Sequence, residues 1–175
     1  MAKWNDTDVP LAFLITFRTH GTWLHGDERG SIDRHNNKFG SPRIPRKVAW
    51  QDHNRKSLKQ PPVTLDAARR RAVEEAIRGV CRHRGWRLLA INVRTNHVHV
   101  VVAIGASLPD RALNSFKAYA TRMMRESGIW DSELSPWVGK GSCRWLWNEE
   151  SIANACDYVE SGQGEDLREL DDWKR

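Results

Sequence analysis

Apolar and β-branched residues dominate positions 10 to 19, PLAFLITFRT, and this predicts a buried first strand. A glycine-punctuated polar stretch from Gly21 to Ser31 follows, then a basic, Pro-containing run to Pro62 that reads as one long loop. A loop of that length inside a compact domain normally serves a function. Between 65 and 84 the period changes to that of a helix, with Leu65, Ala68, Ala72, Val73, Ala76, Ile77 and Val80 as the stripe, Arg69, Arg70 and Glu74 outside it, and Gly85 as terminator. Trp86 to Val93 and His97 to Ile104 read as two strands, and Arg94-Thr95-Asn96 joins them as a hairpin. A second helix is expected over 109–126 on Leu113, Phe116, Ala120 and Met123, leaving Lys117, Arg122 and Arg125 elsewhere on it. After a short strand around Trp145 and Trp147, a last helix begins near Glu149, capped by Glu150 or Ser151. Its core face is Ile152, Ala155, Cys156 and Val159, and Gly162 can end it. This order of elements suits an α+β sandwich with helices packed on an antiparallel sheet.

The hairpin carries the first chemical signal. In the run Asn96-His97-Val98-His99-Val100-Val101-Val102, strand alternation sends His97, His99, Val101 and Ala103 to one face and Val98, Val100, Val102 and Ile104 to the other. Two imidazoles side by side on a rigid strand can act as a metal clamp, since neutral imidazole nitrogens are good ligands. They can equally be two histidines on the wet face of a strand. The chain has only two tyrosines. Tyr158 lies beside the apolar stripe of the last helix, where a phenol can lean over the sheet, whereas Tyr119, between Phe116 and Met123, reads as structural.

Four segments in order, Phe13–Thr19, the Asn-His-Val-His-Val-Val-Val block, Arg144-Trp145-Leu146-Trp147 and Asp157-Tyr158-Val159, resemble the HUH single-tyrosine transposases of small bacterial insertion sequences. The resemblance is greatest to their repeat-associated (RAYT-like) relatives, and it spans most of residues 10 to 163. It implies a ferredoxin-like (RRM-like) antiparallel sheet with the histidine strand central and helices on one face. It also implies that Tyr158 attacks a DNA phosphodiester, giving a covalent phosphotyrosine and a free 3′-hydroxyl. His97 and His99 would hold a divalent metal, Mg²⁺ or Mn²⁺. The family places a Gln or Asn four residues after the tyrosine as a further ligand; here that position is Gly162, and Gln163, one residue on, is the candidate.

Composition adds a partner. The 175 residues suffice for one domain, 1–175, with a basic insertion at about 20–64 and an acidic tail at about 164–175. Net charge is +6, and the excess is local: Arg29 to Lys59 holds nine basic residues against Asp33 and Asp52. Such a segment favours a polyanion, and Arg43, Arg46, Lys47, Arg55 and Lys56, with Lys117 and Arg122 from the second helix, are the expected phosphate contacts. Nine tryptophans are many for this length. Each is most simply a core anchor, although Trp23, Trp50, Trp130 and Trp137 stand in loop-like contexts where an indole can stack on an unpaired base. Three cysteines without C-x-x-C spacing, no signal peptide and no long apolar run suggest a reduced, cytoplasmic protein without a membrane partner. The leading expectation is a metal-dependent endonuclease and strand transferase acting on single-stranded or hairpin DNA, as a monomer or homodimer. A non-catalytic nucleic-acid-binding module on the same sheet, or a domesticated descendant that no longer mobilises DNA, are the alternatives.

Overall fold

The computed structural model describes residues 9–24 and 45–162. Strand β1 (Ala12–Thr19) is followed by helices α1 (Val48–Lys56) and α2 (Ala67–Arg84), the hairpin β2 (Arg87–Val93) and β3 (His97–Ala103), helix α3 (Pro109–Glu126), strand β4 (Trp137–Leu146) and helix α4 (Glu149–Ser161). The strands form one sheet in the order β2-β3-β1-β4, with every neighbouring pair antiparallel. With α2 between β1 and β2 and α3 between β3 and β4, this is the ferredoxin-like arrangement, and the histidine strand β3 is central.

Both faces of the central strands are apolar, so both need cover. Val98, Val100 and Val102 of β3 join Phe13, Ile15 and Phe17 of β1 under α2 and α3. Leu14 and Val101, on the opposite face, pack with Leu146, Ala155 and Val159 under α4. The expectation of helices on one face therefore holds for α2 and α3, while α4 crosses the other, because Val101 and Leu14 would otherwise face water.

Local chemistry sets the element ends. Asp66 caps α2 by accepting from the Arg69 N–H at 2.8 Å, and Gly85 closes it with φ 67°, a left-handed conformation that favours glycine. Asn148, rather than Glu150 or Ser151, is the N-cap of α4: its side chain accepts from the Ser151 N–H, and the Ser151 hydroxyl is paired with the Asn148 backbone. Gly141 of β4 lies where an added Cβ would meet the Thr16 carbonyl oxygen at 2.7 Å and Leu113 of α3 at 2.9 Å, so glycine lets β4 and α3 close onto β1.

Other expectations are corrected. Part of the stretch read as a loop up to Pro62 is α1, a helix with no buried residue and therefore without the apolar stripe that would have announced it. The short last strand is ten residues long and begins at Trp137. Its exposed edge position leaves only Trp137 and Leu146 buried, so no alternation marks it. Trp137 is core: its Nε1–H donates to the Lys117 carbonyl at 3.1 Å and its ring meets Phe17 edge-on at 5.0 Å. Trp130 is buried too, donating to the Leu134 carbonyl. Arg70, placed outside the α2 stripe, is 1% exposed. Its position precedes Val73 by three and Ile77 by seven, on the buried face, and only its charge argued otherwise.

Candidate active site

Strand alternation delivers His97 and His99 to the α4 face of β3, and packing fixes them there. His99 is buried, and the two rings lie 4.8 Å apart between centroids, edge to face. Each Nδ1 is engaged. His97 Nδ1 lies 2.7 Å from Asn96 Oδ1, an acceptor, so Nδ1 is the donor of this pair, and in the neutral ring the metal-binding lone pair belongs to Nε2. His99 Nδ1 is 2.8 Å from the Thr16 hydroxyl, and Thr16 is its cross-strand partner on β1. Hydrogen bonds of this kind orient imidazoles toward a metal.

The rung through His99 is polar across the sheet, running Asn92 (β2), His99 (β3), Thr16 (β1) and Ser142 (β4). Two residues along, on the same face, Arg18 is paired with His97, its guanidinium stacked 3.8 Å from the centre of the Trp23 ring. Over this rung lies the last turn of α4. Ala155 and Val159 are buried against the sheet, and Tyr158 beside them is 47% exposed with its ring 5.5 Å from that of His99, at 73°. The histidine pair and Tyr158 are thus brought together, a phenol beside two imidazoles at the polar end of a face that α4 otherwise covers with apolar side chains. Tyr119 belongs to α3, on the other side of the sheet, and borders a groove with Gly79 and His83 of α2.

Cysteine offers no competing nucleophile. Burial pushes the Cys81 and Cys143 thiols up to about 11, and burial followed by the charges of Glu160 and Asp157 raises Cys156. A thiol is reactive as its thiolate, so all three are held in the inert form.

The donor set fits a divalent cation in part. Two imidazoles suit Mn²⁺ better than Mg²⁺, which prefers oxygen, and the rest of the coordination sphere would be oxygen from water and phosphate. Among the described residues no three His, Cys, Asp or Glu side chains gather as a metal cluster. Gln163 lies outside the described residues, as does Arg43. At Gly162 an added Cβ would meet the Tyr158 carbonyl oxygen at 2.8 Å and ring carbon Cδ2 at 2.9 Å, so this close approach to the tyrosine is one that glycine admits. The residue four after the tyrosine packs directly on it.

The expected DNA contacts divide. Arg46, Lys47, Arg55 and Lys56 are exposed on or just before α1, and Arg122 is exposed on α3, its Nε donating to Glu126. Lys117 is different: it is buried, and its Nζ donates to the carbonyls of Val138, Gly139 and Lys140 at 2.8, 3.3 and 3.1 Å. Burial lowers its pKa from the ordinary lysine value. Its three donors are used on β4, so it is withdrawn as a phosphate contact. Thr16, Arg18 and Asn92 escaped the sequence reading; each is set by cross-strand register, which alternation along one strand does not reveal.

Among the described residues no helix is long and apolar enough to cross a membrane. The family model for IS200-like transposases matches residues 48–160, most of the chain and all of the segment from α1 to the tyrosine helix. No curated protein matches. Solved structures that are similar to this chain include two transposases. One is a REP-associated tyrosine transposase bound to a REP hairpin, 12% identical over 91% of this chain and 70% of that one, with a TM-score of 0.47. The other is a candidate transposase of Deinococcus radiodurans, 14% identical over 94% of this chain and 100% of that one, with the same TM-score.

Proposed function

Because the chain belongs to the IS200-like transposase family, we propose that it is a single-strand DNA endonuclease and strand transferase in which Tyr158 is the nucleophile and His97 and His99 hold a divalent metal. The observation that carries this reading is the seating of the only tyrosine on the sheet's histidine face, 5.5 Å from His99.

A phosphodiester is anionic and a poor electrophile. A divalent cation bound by the two imidazoles would supply charge neutralisation and Lewis-acid polarisation. The protein's own contribution is arrangement. Asn96 and Thr16 hold the imidazoles through Nδ1, and Ala155 and Val159 fix the helix. Tyr158 Oη gives up its proton and attacks phosphorus, forming a P–O bond to the phenol while the bond to the 3′-oxygen breaks and that oxygen takes up a proton, so the transfer consumes and releases none overall. The covalent phosphotyrosine divides a difficult transfer into two easier ones and retains the cut strand for rejoining. Arg18, across from His97 and stacked on Trp23, would meet a phosphate beside the reacting one. The basic residues of the insertion would grip flanking or hairpin DNA through its phosphates, supplying affinity without sequence information.

A binding module on this fold would present aromatic side chains from its central strands for base stacking. Here β3 presents His97 and His99 instead, which favours the enzyme. The test is nicking of a 5′-labelled pool of single-stranded oligonucleotides with Mn²⁺ and with chelator. Shortened products that a polymerase can extend from a free 3′-hydroxyl, in Mn²⁺ alone, are expected; intact DNA in both would overturn the reading.

A further inference from the structure

Asn92 stands on β2 directly opposite His99, so its side chain rises from the same face of the sheet. It does not turn toward solvent. Its Nδ2 amide donates to the main-chain carbonyl of Val159 at 2.9 Å, and Val159 is the residue after Tyr158. We infer that Asn92 is a positioning residue, a latch between the histidine sheet and the tyrosine helix that sets where Tyr158 sits relative to His99. Its consequence for DNA cleavage rests on the function proposed above; its consequence for geometry does not.

Besides this bond, helix α4 is held at its start and along its apolar face. The helix is tied at its start by the Asn148–Ser151 box, and along its length by Ala155 and Val159 packing on Leu14, Ala90 and Val101. Apolar packing is non-directional and leaves a short helix able to roll or slide over small side chains such as Ala90. Tyr158, about half exposed, contributes little burial to resist that motion. A directional bond at the end of the helix does resist it. The last carbonyls of a helix have no partner in the next turn. Gly162 N–H satisfies the Tyr158 carbonyl at 3.0 Å, and Asn92 reaches up from the sheet to satisfy the next one. The last turn, which bears the phenol, is therefore pinned to the rung that bears His99. Displacement of a reacting group by about 1 Å can cost on the order of 100-fold in rate, so this bond matters for catalysis although Asn92 touches no reacting atom.

The test uses Asn92→Ala and Asn92→Asp, the latter keeping size and shape while replacing the donor by an acceptor that repels the carbonyl. The full-length protein, labelled with ¹³C on tyrosine rings, contains only Tyr119 and Tyr158, and Tyr158→Phe assigns the two signals. In both Asn92 variants the Tyr158 ring resonance should move toward that of solvent-exposed tyrosine, with Tyr119 unchanged as the internal control. The single-turnover rate of phosphotyrosine formation at saturating single-stranded DNA should fall about 10- to 100-fold, with DNA affinity held within about twofold. A Tyr158 resonance that stays in place in Asn92→Asp, with a wild-type rate, overturns the latch and leaves the nuclease reading intact. Should the resonance move while the wild-type protein forms no adduct with any DNA, the latch stands and the nuclease reading fails.

Discussion

His99 and Tyr158 meet edge to face, 5.5 Å between ring centroids, although one is on a central strand and the other on the last helix. The contact is made by α4 crossing the face that α2 and α3 leave open. Removing only the attacking oxygen should separate chemistry from structure. Tyr158→Phe keeps the ring against His99, and since the side chain is half exposed, unfolding free energy should stay within about 0.5 kcal/mol of wild type. Strand cleavage should be lost. Chemical denaturation and a nicking assay check the two halves.

Thr16 reaches His99 Nδ1 from the neighbouring strand at 2.8 Å. Thr16→Val retains shape and removes the hydroxyl, leaving the buried imidazole free to rotate or change tautomer. Mn²⁺ affinity measured by calorimetry should fall about 10-fold, the usual cost of losing a group that orients a metal-binding histidine. Equal affinity in the two proteins would detach Thr16 from the site.

Lys117 should behave as a structural cation. Lys117→Met strips the carbonyls of Val138, Gly139 and Lys140 of their donor and should cost about 2–4 kcal/mol of stability, with DNA affinity unchanged in the folded protein. The pH dependence has a definite sign. Burial places the folded pKa below the ordinary 10.5, so between the two values the unfolded chain binds more protons. Stability of wild type relative to Lys117→Met should therefore rise with pH through that window, as denaturant midpoints at a series of pH values will show.

Features fixed within a single element are legible in the sequence, and those fixed between elements are not. The faces of β3 were legible because alternation needs only one strand, and the α4 core face because Ala155 and Val159 repeat at helical spacing. Lys117 and Arg70 are hard to place for one shared reason: both sit at buried helical positions, where charge predicts exposure and only the helical spacing predicts burial. Partners fixed by register, Thr16 and Asn92 with His99, cannot be seen until strands are paired. The ten-residue β4 hid because an edge strand exposed over most of its length shows no period of two.

For the basic insertion, Arg43, Arg46 and Lys47 replaced together by Ala should weaken binding across many DNA sequences. The dependence of affinity on salt should flatten by up to about three phosphate contacts' worth, since each neutralised phosphate releases counterion. Cleavage at saturating DNA should persist. Titrations at several salt concentrations measure this, and an unchanged slope would return the segment to an ordinary solvated surface.

The most direct test of the central claim is the identity of the residue that becomes joined to DNA. The protein is incubated with Mn²⁺ and a radiolabelled pool of single-stranded and hairpin oligonucleotides, denatured, digested with nuclease and protease, and the nucleotide-bearing peptide is sequenced by mass spectrometry. The account requires a denaturation-resistant adduct on Tyr158, absent from Tyr158→Phe and from the His97→Ala, His99→Ala double variant. An adduct that maps to Tyr119, or one that persists in Tyr158→Phe, would contradict it.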